Sequence, residues 1–365
     1  RELIETNHVA VFSSNYSLYG DMSHRVMTTI DRLVPEIEIY SIDEAFINFE
    51  GFQMSSLPDY AQQLTKTIRK NTGIPVCLGI APTKTLAKIA NRYAKKYPGY
   101  KNVCIIDSEE KRVKALKCFP IEDVWGIGRQ YKQKLNYYGI ETAWDFIQKN
   151  ESWIRKQMSV TGVRTWLELK GISCIAIEQN PSGKQNICTS RSFGEEISDF
   201  PVLLESVAYF TASCARKLRG QKSVAGIITV FLYTNRFKKE VPQYYPSITV
   251  HLPVPSANPG ELIKYARMSL KQIYRPGYKY KKAGVIVSDI TSASNVQCSL
   301  FDATDRHKQA KILSVIDTVN RKYGTDTLRS CAQPPNCFRK WSLKSQYISR
   351  RYTTNINDII VLNCK

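Results

Sequence analysis

The sequence has no apolar run long enough to span a bilayer, and no basic amphipathic segment that would anchor it to a membrane. It shows no signal peptide and no pair of cysteines spaced as CxxC, and no histidine cluster accompanies its ten scattered cysteines. These absences argue against a membrane protein and against a zinc site. Reduced thiols in a cytoplasmic protein are the simplest interpretation.

Acidic residues are in the minority, with 32 Asp and Glu against 52 Lys and Arg, for a net charge of +20. Such an excess of positive charge indicates a polyanionic partner, most simply a nucleic acid. The hydrophobic content of 43% is ample for folded cores, and a length of 365 residues predicts two or three domains.

Two of the acids, Asp43 and Glu44, are adjacent inside a run typical of β-structure, IEIYSIDEAFINF at 37–49. Neighbouring side chains of a strand point to opposite faces, so both acids can meet at one site only if the backbone bends. A strand–turn–strand with its turn at 41–45 would place both at a sheet edge facing a cleft. Paired carboxylates retain a proton or bind a cation, and hard oxygen ligands suit Mg²⁺. The alternative is an exposed Asp-Glu turn with no chemistry.

The first 118 residues alternate helical and extended patterns. Apolar spacing predicts helices over 21–33 and 57–72 and a basic helix over 83–93, with short strands at 74–80 and 103–106. This order predicts an α+β domain with helices on one face of a mostly antiparallel sheet.

Residues 119–180 are helical in pattern and open with the sequence VWGIGR at 124–129. A Gly-Ile-Gly between short helices is typical of a helix–hairpin–helix, in which Gly126 and Gly128 let the backbone turn tightly and aim N–H groups at a DNA phosphate. Arg129 follows directly, and a second Gly-Ile at 139–140 closes the next turn. The alternative is an ordinary turn between helices.

A polar linker precedes residues 186–292, whose pattern predicts strand–helix–strand–strand–helix–strand. Basic and aromatic runs at 236–239 and 274–282, the second including Lys281, suit a sheet laid along a phosphate backbone. Each run taken alone is equally typical of a solvated turn.

The last part, residues 293–365, is a tail with one predicted helix at 308–323 and the peptide QCSLFD at 297–302. In such a peptide Leu300 and Phe301 can anchor in a groove while Gln297 makes polar contacts. A match of this length also arises by chance.

Taken together, the motifs resemble those of Y-family translesion DNA polymerases of the UmuC type, over essentially the whole chain. The motifs that carry the resemblance are FSSNYSLYGDMSHRVM at 12–27, YSIDEAF at 40–46, GIAPTKTLAKIAN at 79–91, VWGIGR at 124–129, SRSFG at 190–194, QCSLFD at 297–302 and SRRYTT at 349–354.

The resemblance implies a multidomain α+β, right-hand polymerase. Residues 1–118 would be the palm with a remnant of the fingers, 119–180 the helix–hairpin–helix thumb, 186–292 the little finger and 293–365 a C-terminal tail. It implies error-prone, template-directed DNA synthesis past damaged bases in SOS-type repair.

The same resemblance assigns roles to residues. Asp43 and Glu44 would be catalytic and would hold two Mg²⁺ ions, and Lys95 would reach the triphosphate of the dNTP. The implied contacts with primer-template DNA come from Lys84, Lys88, Gly126, Gly128, Arg129, Arg191 and Lys281. Gln297, Leu300 and Phe301 would dock on the sliding clamp, and a processed UmuD dimer and the RecA filament would be further partners.

The chain departs from the family pattern at its start. The family has a first palm strand with a further metal-binding Asp and an aromatic steric gate, and neither is found here. We therefore expect the chain as printed to be inactive alone. One alternative is a non-catalytic fragment that binds DNA and the clamp. Another is a helix–hairpin–helix glycosylase or nuclease, for which Asp145 is the available acid.

Overall fold

The computed structural model describes residues 2–179, 182–297, 299–300, 302, 304–333, 341–343 and 345–362. They form two compact units, one of residues 1–181 and 347–365 and the other of residues 182–346. The predicted tail is therefore shared, because its helical part belongs to the second unit and its last segment to the first. Among the described residues, no helix combines the length and apolarity needed to cross a membrane.

The first unit contains eight described helices and two pairs of strands. The helices are α1 (Glu2–Thr6), α2 (Tyr16–Asp31), α3 (Leu57–Thr72), α4 (Lys84–Lys96), α5 (Glu109–Lys117), α6 (Arg129–Tyr137), α7 (Ala143–Ile147) and α8 (Glu151–Leu169), and the strands are β1 (Glu36–Ile39), β2 (Ala45–Asn48), β3 (Leu78–Ile80) and β4 (Val103–Ile105).

Helices α3 and α4 have the lengths that their apolar spacing and end signals dictate. In α3, Leu57, Leu64 and Ile68 are buried on one face, and the helix ends at Gly73 with a left-handed φ of 75°. In α4, the hydroxyl of Thr83 accepts the N–H of Leu86, which caps the start of the helix.

The strands of the first unit form two separate sheets. Strands β1 and β2 are antiparallel, with Ile39 opposite Ala45, whereas β3 and β4 are parallel. The expectation of one mostly antiparallel sheet is therefore wrong for β3 and β4. Helix α4 packs closely on β3, because a Cβ added at Gly79 would collide with the backbone of Asn91.

Two hydrophobic cores hold the first unit together. The smaller core lies between α2, α3 and the strands and includes Met27, Leu64 and Ile68. The larger core runs continuously from Leu86 on α4 to Leu169 on α8. It crosses the predicted palm–thumb boundary at 118/119, and that boundary stays a prediction.

The second unit contains a four-stranded antiparallel sheet and three described helices, and its elements within residues 186–292 follow the predicted order. Its elements are β5 (Ile187–Ile197), α9 (Phe200–Gly220), β6 (Ser223–Thr234), β7 (Ser247–Ser256), α10 (Pro259–Ile273), β8 (Tyr280–Ser292) and α11 (Arg306–Tyr323), with strand order β5-β8-β6-β7. Alternate residues of the central strands, such as Val230 and Val285, are buried against α9 and α10.

The last segment of the chain packs on the start of α2. Ser13 pairs with Ile348 in a short parallel bridge, and the N–H of Ser13 donates to the carbonyl of Tyr347 at 2.9 Å. The side chain of Asn15 is fully buried and donates to the carbonyl of Ser349 at 3.0 Å. Two segments at opposite ends of the sequence thus form one piece of structure.

Candidate active site

The turn between β1 and β2 brings the adjacent acids to one place. The N–H groups of Tyr40 and Ser41 both donate to the carbonyl of Glu44 at 3.0 Å, which closes the turn directly after the strand pair. The hydroxyl of Ser41 donates to the carboxylate of Asp43 at 2.5 Å and accepts the N–H of Asp43 at 3.2 Å. The bend predicted at 41–45 is therefore present, and Asp43 and Glu44 line the same cavity.

Glu44 is paired with Lys88 of α4. The ammonium of Lys88 lies 2.9 Å from Oε2 of Glu44, with the side chains 20% and 43% exposed, respectively. The predicted contact of Lys88 with the DNA backbone stays a prediction, and in this structure the charge of Lys88 is directed at the acid.

Three aromatic rings surround the Lys88 ammonium. Its nitrogen lies 4.5 Å from the ring centre of Tyr40, 5.6 Å from that of Phe46 and 5.3 Å from that of Trp125. The three rings touch one another at 5.6 Å, and the indole N–H of Trp125 donates to the hydroxyl of Tyr40 at 3.2 Å. We call Tyr40, Phe46 and Trp125 the aromatic cage. Cation–π attraction holds the ammonium there.

Lys84 is buried one turn earlier on α4. Its ammonium donates to Glu38 at 2.5 Å and to the carbonyl of Ala176 at 2.8 Å, and its side chain is 7% exposed. Contact with DNA would require this buried pair to break, so the burial of Lys84 does not favour its predicted role. Its structural role is to join β1 to the segment after α8.

The buried carboxylate of Glu168 fixes the start of α4. One oxygen accepts the N–H of Thr85 at 3.0 Å, and the other accepts the N–H groups of Cys174 and Ile175 at 2.7 and 3.2 Å. Glu168 is fully buried, so these bonds replace the water that the charge would otherwise require. The carboxylate also lies at a helix N-terminus, where negative charge is favoured.

The cavity lined by the two acids lies between the two small sheets. Residues of β2, including Phe46 and Ile47, and residues of β3, including Leu78 and Gly79, line it together with α2, α3 and α4. In the described residues β2 pairs only with β1, and β3 only with β4. The cavity of about 130 Å³ is thus flanked by strands that each have a free edge.

The glycine-rich hairpin loop presents its backbone to solvent. Gly126 has a φ of 94°, a conformation that favours glycine, and the residues Gly126, Gly128 and Arg129 are exposed while Ile127 is buried. Gly128 is the N-cap of α6, so the N–H groups that follow it point outward at a helix start. The arrangement suits an anion such as phosphate.

The other predicted contact residues occupy different surroundings. Lys95 is exposed on the last turn of α4. In the second unit, the guanidinium of Arg191 lies over the rings of Tyr209 and Trp341 at 5.9 and 5.8 Å, and Lys281 donates to the carbonyl of Phe193 at 2.6 Å. The DNA contacts predicted for Arg191 and Lys281 stay predictions.

The predicted clamp peptide is described only in part. Gln297 is exposed and the side chain of Leu300 is fully exposed, as an apolar docking residue must be before its partner binds. Phe301 lies outside the described residues, so its place in the peptide stays a prediction.

Asp145 has a structural role. It forms a capping box with Thr142 at the start of α7, accepting the Thr142 N–H at 3.0 Å and its hydroxyl at 2.8 Å. Although burial alone would raise the pKa of Asp145, these hydrogen bonds lower it. A carboxylate engaged in a cap is not available as a glycosylase nucleophile.

The donor set at the β1–β2 turn fits Mg²⁺ in part. Mg²⁺ is commonly bound through one or two carboxylates with substrate phosphates and water, and Asp43 and Glu44 supply two carboxylates at one cavity. Within the described ranges, no group of three Asp, Glu, His or Cys side chains is arranged to hold a metal ion. Phosphate oxygens and further ligands would complete the shell.

Comparison with known proteins assigns this chain to a family. Models of the impB/mucB/samB family match residues 1–92, and the C-terminal domain model of the same family matches residues 184–300. Protein UmuC of Salmonella typhimurium is 39% identical over 363 residues, covering 99% of this chain and 86% of UmuC. The chain belongs to the impB/mucB/samB family.

Further comparisons agree with this membership. Protein ImpB of Salmonella typhimurium is 36% identical over 364 residues, covering 98% of this chain and 85% of ImpB. A Y-family DNA polymerase chimera of Dbh and Dpo4 has a TM-score of 0.63 at 20% identity, covering 80% of this chain and 82% of the chimera. The fold is therefore that of Y-family polymerases. A domain model of unknown function matches residues 310–362.

Sequence reasoning missed the aromatic cage, the half-buried acid Glu38 and the buried acid Glu168. The cage residues stand in the motifs YSIDEAF and VWGIGR, yet nothing in either motif indicates that they meet around a lysine. A glutamate between Leu167 and Leu169, in the apolar last turn of α8, was the available signal for Glu168.

Proposed function

We propose that this protein carries out translesion DNA synthesis, transferring nucleotides from dNTPs to a primer 3′-hydroxyl on a damaged template. One observation carries the proposal: in a member of this family, Asp43 and Glu44 meet at a single turn and line one cavity. The primer hydroxyl would attack the α-phosphate of the dNTP, and pyrophosphate would leave.

Asp43 and Glu44 are the proposed metal ligands. Bound Mg²⁺ would supply Lewis-acid stabilisation of the attacking and leaving oxygens. The hydrogen bond from Ser41 orients the Asp43 carboxylate, and the closed turn fixes the backbone of Glu44. Lys95, exposed on α4, would place a positive charge beside the triphosphate.

The proposed DNA contacts combine overall charge with one local site. A net charge of +20 favours a polyanion, and the exposed backbone at Gly126 and Gly128 suits one phosphate of the duplex. Arg129 adds a guanidinium at the same loop. These contacts would fix the position of the duplex without reading its sequence, as lesion bypass requires.

Catalysis would need a third acid, and the cavity between the sheets offers a place for it. An extended strand bonded to the free edges of β2 and β3 would run past Asp43 and Glu44. The family's first palm strand carries such an acid. We therefore propose that residues 1–365 alone bind DNA but extend primers poorly, since a missing metal ligand costs about a thousandfold in rate.

The alternative function is a non-catalytic fragment that binds DNA and the sliding clamp. The exposed Leu300 and the exposed hairpin loop favour this alternative, because both surfaces are present without a complete metal site. If the protein acts as a polymerase, a processed UmuD dimer and the RecA filament would be its further partners.

Primer extension distinguishes the polymerase from the non-catalytic fragment. Residues 1–365 should bind primer-template with little Mg²⁺-dependent extension, whereas the same chain fused at its N terminus to a first palm strand of the family should extend. Glu44→Gln and Asp43→Asn in the fusion should abolish extension, and Asp59→Asn, an exposed acid on α3, should not. Rapid extension by residues 1–365 would refute the need for a third acid. A fusion that extends equally well with both acids replaced would refute the site.

A further inference from the structure

Lys88 is more tightly surrounded than a lysine that merely contacts DNA would need to be. Its ammonium makes an ion pair with Glu44 at 2.9 Å and lies within 6 Å of three ring centres. Only a fifth of the side chain is exposed. A cation in this position is partly desolvated, and the ring faces and the carboxylate together replace the lost water.

The ion pair occupies an oxygen of the proposed metal site. Oε2 of Glu44 accepts from Lys88, and Glu44 lines the cavity beside Asp43. A divalent cation bound between these carboxylates would stand close to the Lys88 ammonium, and like charges repel. One carboxylate therefore has two competing cations, one covalently attached to α4 and one from solution.

We propose that Lys88 is a resident counter-cation of Glu44, held by the aromatic cage, which competes with a divalent metal ion for this carboxylate. The inference rests on the proposed function of Asp43 and Glu44. In this proposal Trp125 is a positioning residue. Trp125 contacts Lys88 and not the metal, and it keeps the Lys88 ammonium within reach of Glu44. Without metal, Lys88 neutralises Glu44 and keeps the turn closed beside Asp43.

The competition predicts that loss of the lysine charge tightens metal binding. Lys88→Met keeps an unbranched side chain of similar length that packs well against rings. The Kd for Mn²⁺, followed by the electron paramagnetic resonance signal of the free ion, should fall about three- to tenfold in the 1–365 chain, the range expected for removing one partly exposed neighbouring charge.

Two variants separate this effect from a general change in charge. Lys96→Met removes a lysine from the same helix that lies 5.3 Å from the ring of Tyr97, and it should leave the Mn²⁺ affinity unchanged. Glu44→Gln added to Lys88→Met should remove the gain, because the gain acts through Glu44. Circular dichroism melts of each variant establish that the fold is retained.

Trp125 is tested by two replacements at the same position. Trp125→Phe keeps a ring beside Lys88 and should leave the Mn²⁺ affinity near that of the parent chain. Trp125→Leu removes the aromatic face and should tighten Mn²⁺ binding in the same direction as Lys88→Met, by a smaller factor. Equal affinities in the two variants would refute the positioning role.

The Mn²⁺ affinities of the variants distinguish failure of the competition from failure of the metal site. If the parent chain binds Mn²⁺ through Glu44 but Lys88→Met binds it equally or less tightly, the competition is refuted while the metal site survives. If Glu44→Gln binds Mn²⁺ as tightly as the parent, the proposed metal site itself fails. If neither the parent 1–365 chain nor any variant binds Mn²⁺, the competition is refuted, and primer extension by the fusion tests the metal site separately. Tighter binding in Lys88→Met that depends on Glu44 supports the inference.

Discussion

The side chain of Asn15 donates a hydrogen bond to the carbonyl of Ser349 at 3.0 Å, across 334 residues of sequence. The same amide lies 3.1 Å from the hydroxyl of Ser349, and its oxygen accepts the N–H of Leu18 at the start of α2. Asn15 thus caps a helix and fastens the last segment of the chain with one fully buried side chain. Residues 347–354 are part of the first unit's structure.

Replacing Asn15 should release this segment. Asn15→Ala removes a helix cap and the hydrogen bonds to Ser349 and Arg350, which should lower the free energy of unfolding by about 2 kcal/mol. Hydrogen exchange should accelerate at the amides of Ser13 and Tyr347, which bond to each other's residues. Asn7→Ala, which replaces an exposed asparagine directly after α1, is the control and should change neither quantity. Unchanged protection in Asn15→Ala would show that the segment is held by other contacts.

Glu168 should be essential for the stability of the first unit. Glu168→Gln keeps the shape but replaces one acceptor oxygen with a donor that faces a backbone N–H, so we expect a loss of about 2–3 kcal/mol in chemical denaturation. Glu110→Gln on the exposed face of α5 is the matched control. A stability equal to that of the control would contradict the role given to Glu168 in fixing α4.

The cap at Asp145 should make stability depend on pH. The pKa of the Asp145 carboxyl is lowered in the folded state from its unfolded value of 3.8. The ionised carboxylate therefore stabilises the folded state fully above pH 3.8, and this stabilisation is lost as the pH falls through the lower pKa of the folded state. Asp145→Asn should therefore cost about 1 kcal/mol at neutral pH, measured by urea denaturation, with a smaller difference from the parent in acid. A difference that stays constant down to the acid limit would contradict the assignment.

DNA affinity should fall steeply with salt, because phosphate contacts release counterions. Arg129→Gln should weaken primer-template binding for all sequences alike and reduce the slope of log K against log salt by about one. Arg155→Gln is the control, since its guanidinium is paired with Glu151 on α8. A slope unchanged by Arg129→Gln would remove Arg129 from the interface.

Local patterns in the sequence predicted local structure well. Helix α3 has the predicted bounds, and the turn between β1 and β2 lies at the predicted residues 41–45. The elements within residues 186–292 follow the predicted order. Helix α2 begins at Tyr16 instead of residue 21, because Asn15 caps its start. The spacing of apolar residues, on which the prediction is based, does not indicate this cap.

Contacts between distant segments could not be predicted in the same way. Thr85 and Glu168 are 83 residues apart, and Tyr40 meets Trp125 across 85 residues. Residue spacing reports which side chains share a face of one element, and carries no information on which other element covers that face. The parallel pairing of β3 with β4 and the ion pair of Lys88 with Glu44 belong to this class.

Single-turnover kinetics on the fusion with a first palm strand would decide whether the acids at the β1–β2 turn perform chemistry. For Glu44→Gln we predict a loss of about a thousandfold in the rate of nucleotide incorporation, with the Kd for primer-template unchanged. A variant that incorporates nucleotides at the parent rate, or that loses rate only in proportion to lost DNA affinity, would contradict a catalytic role for this turn.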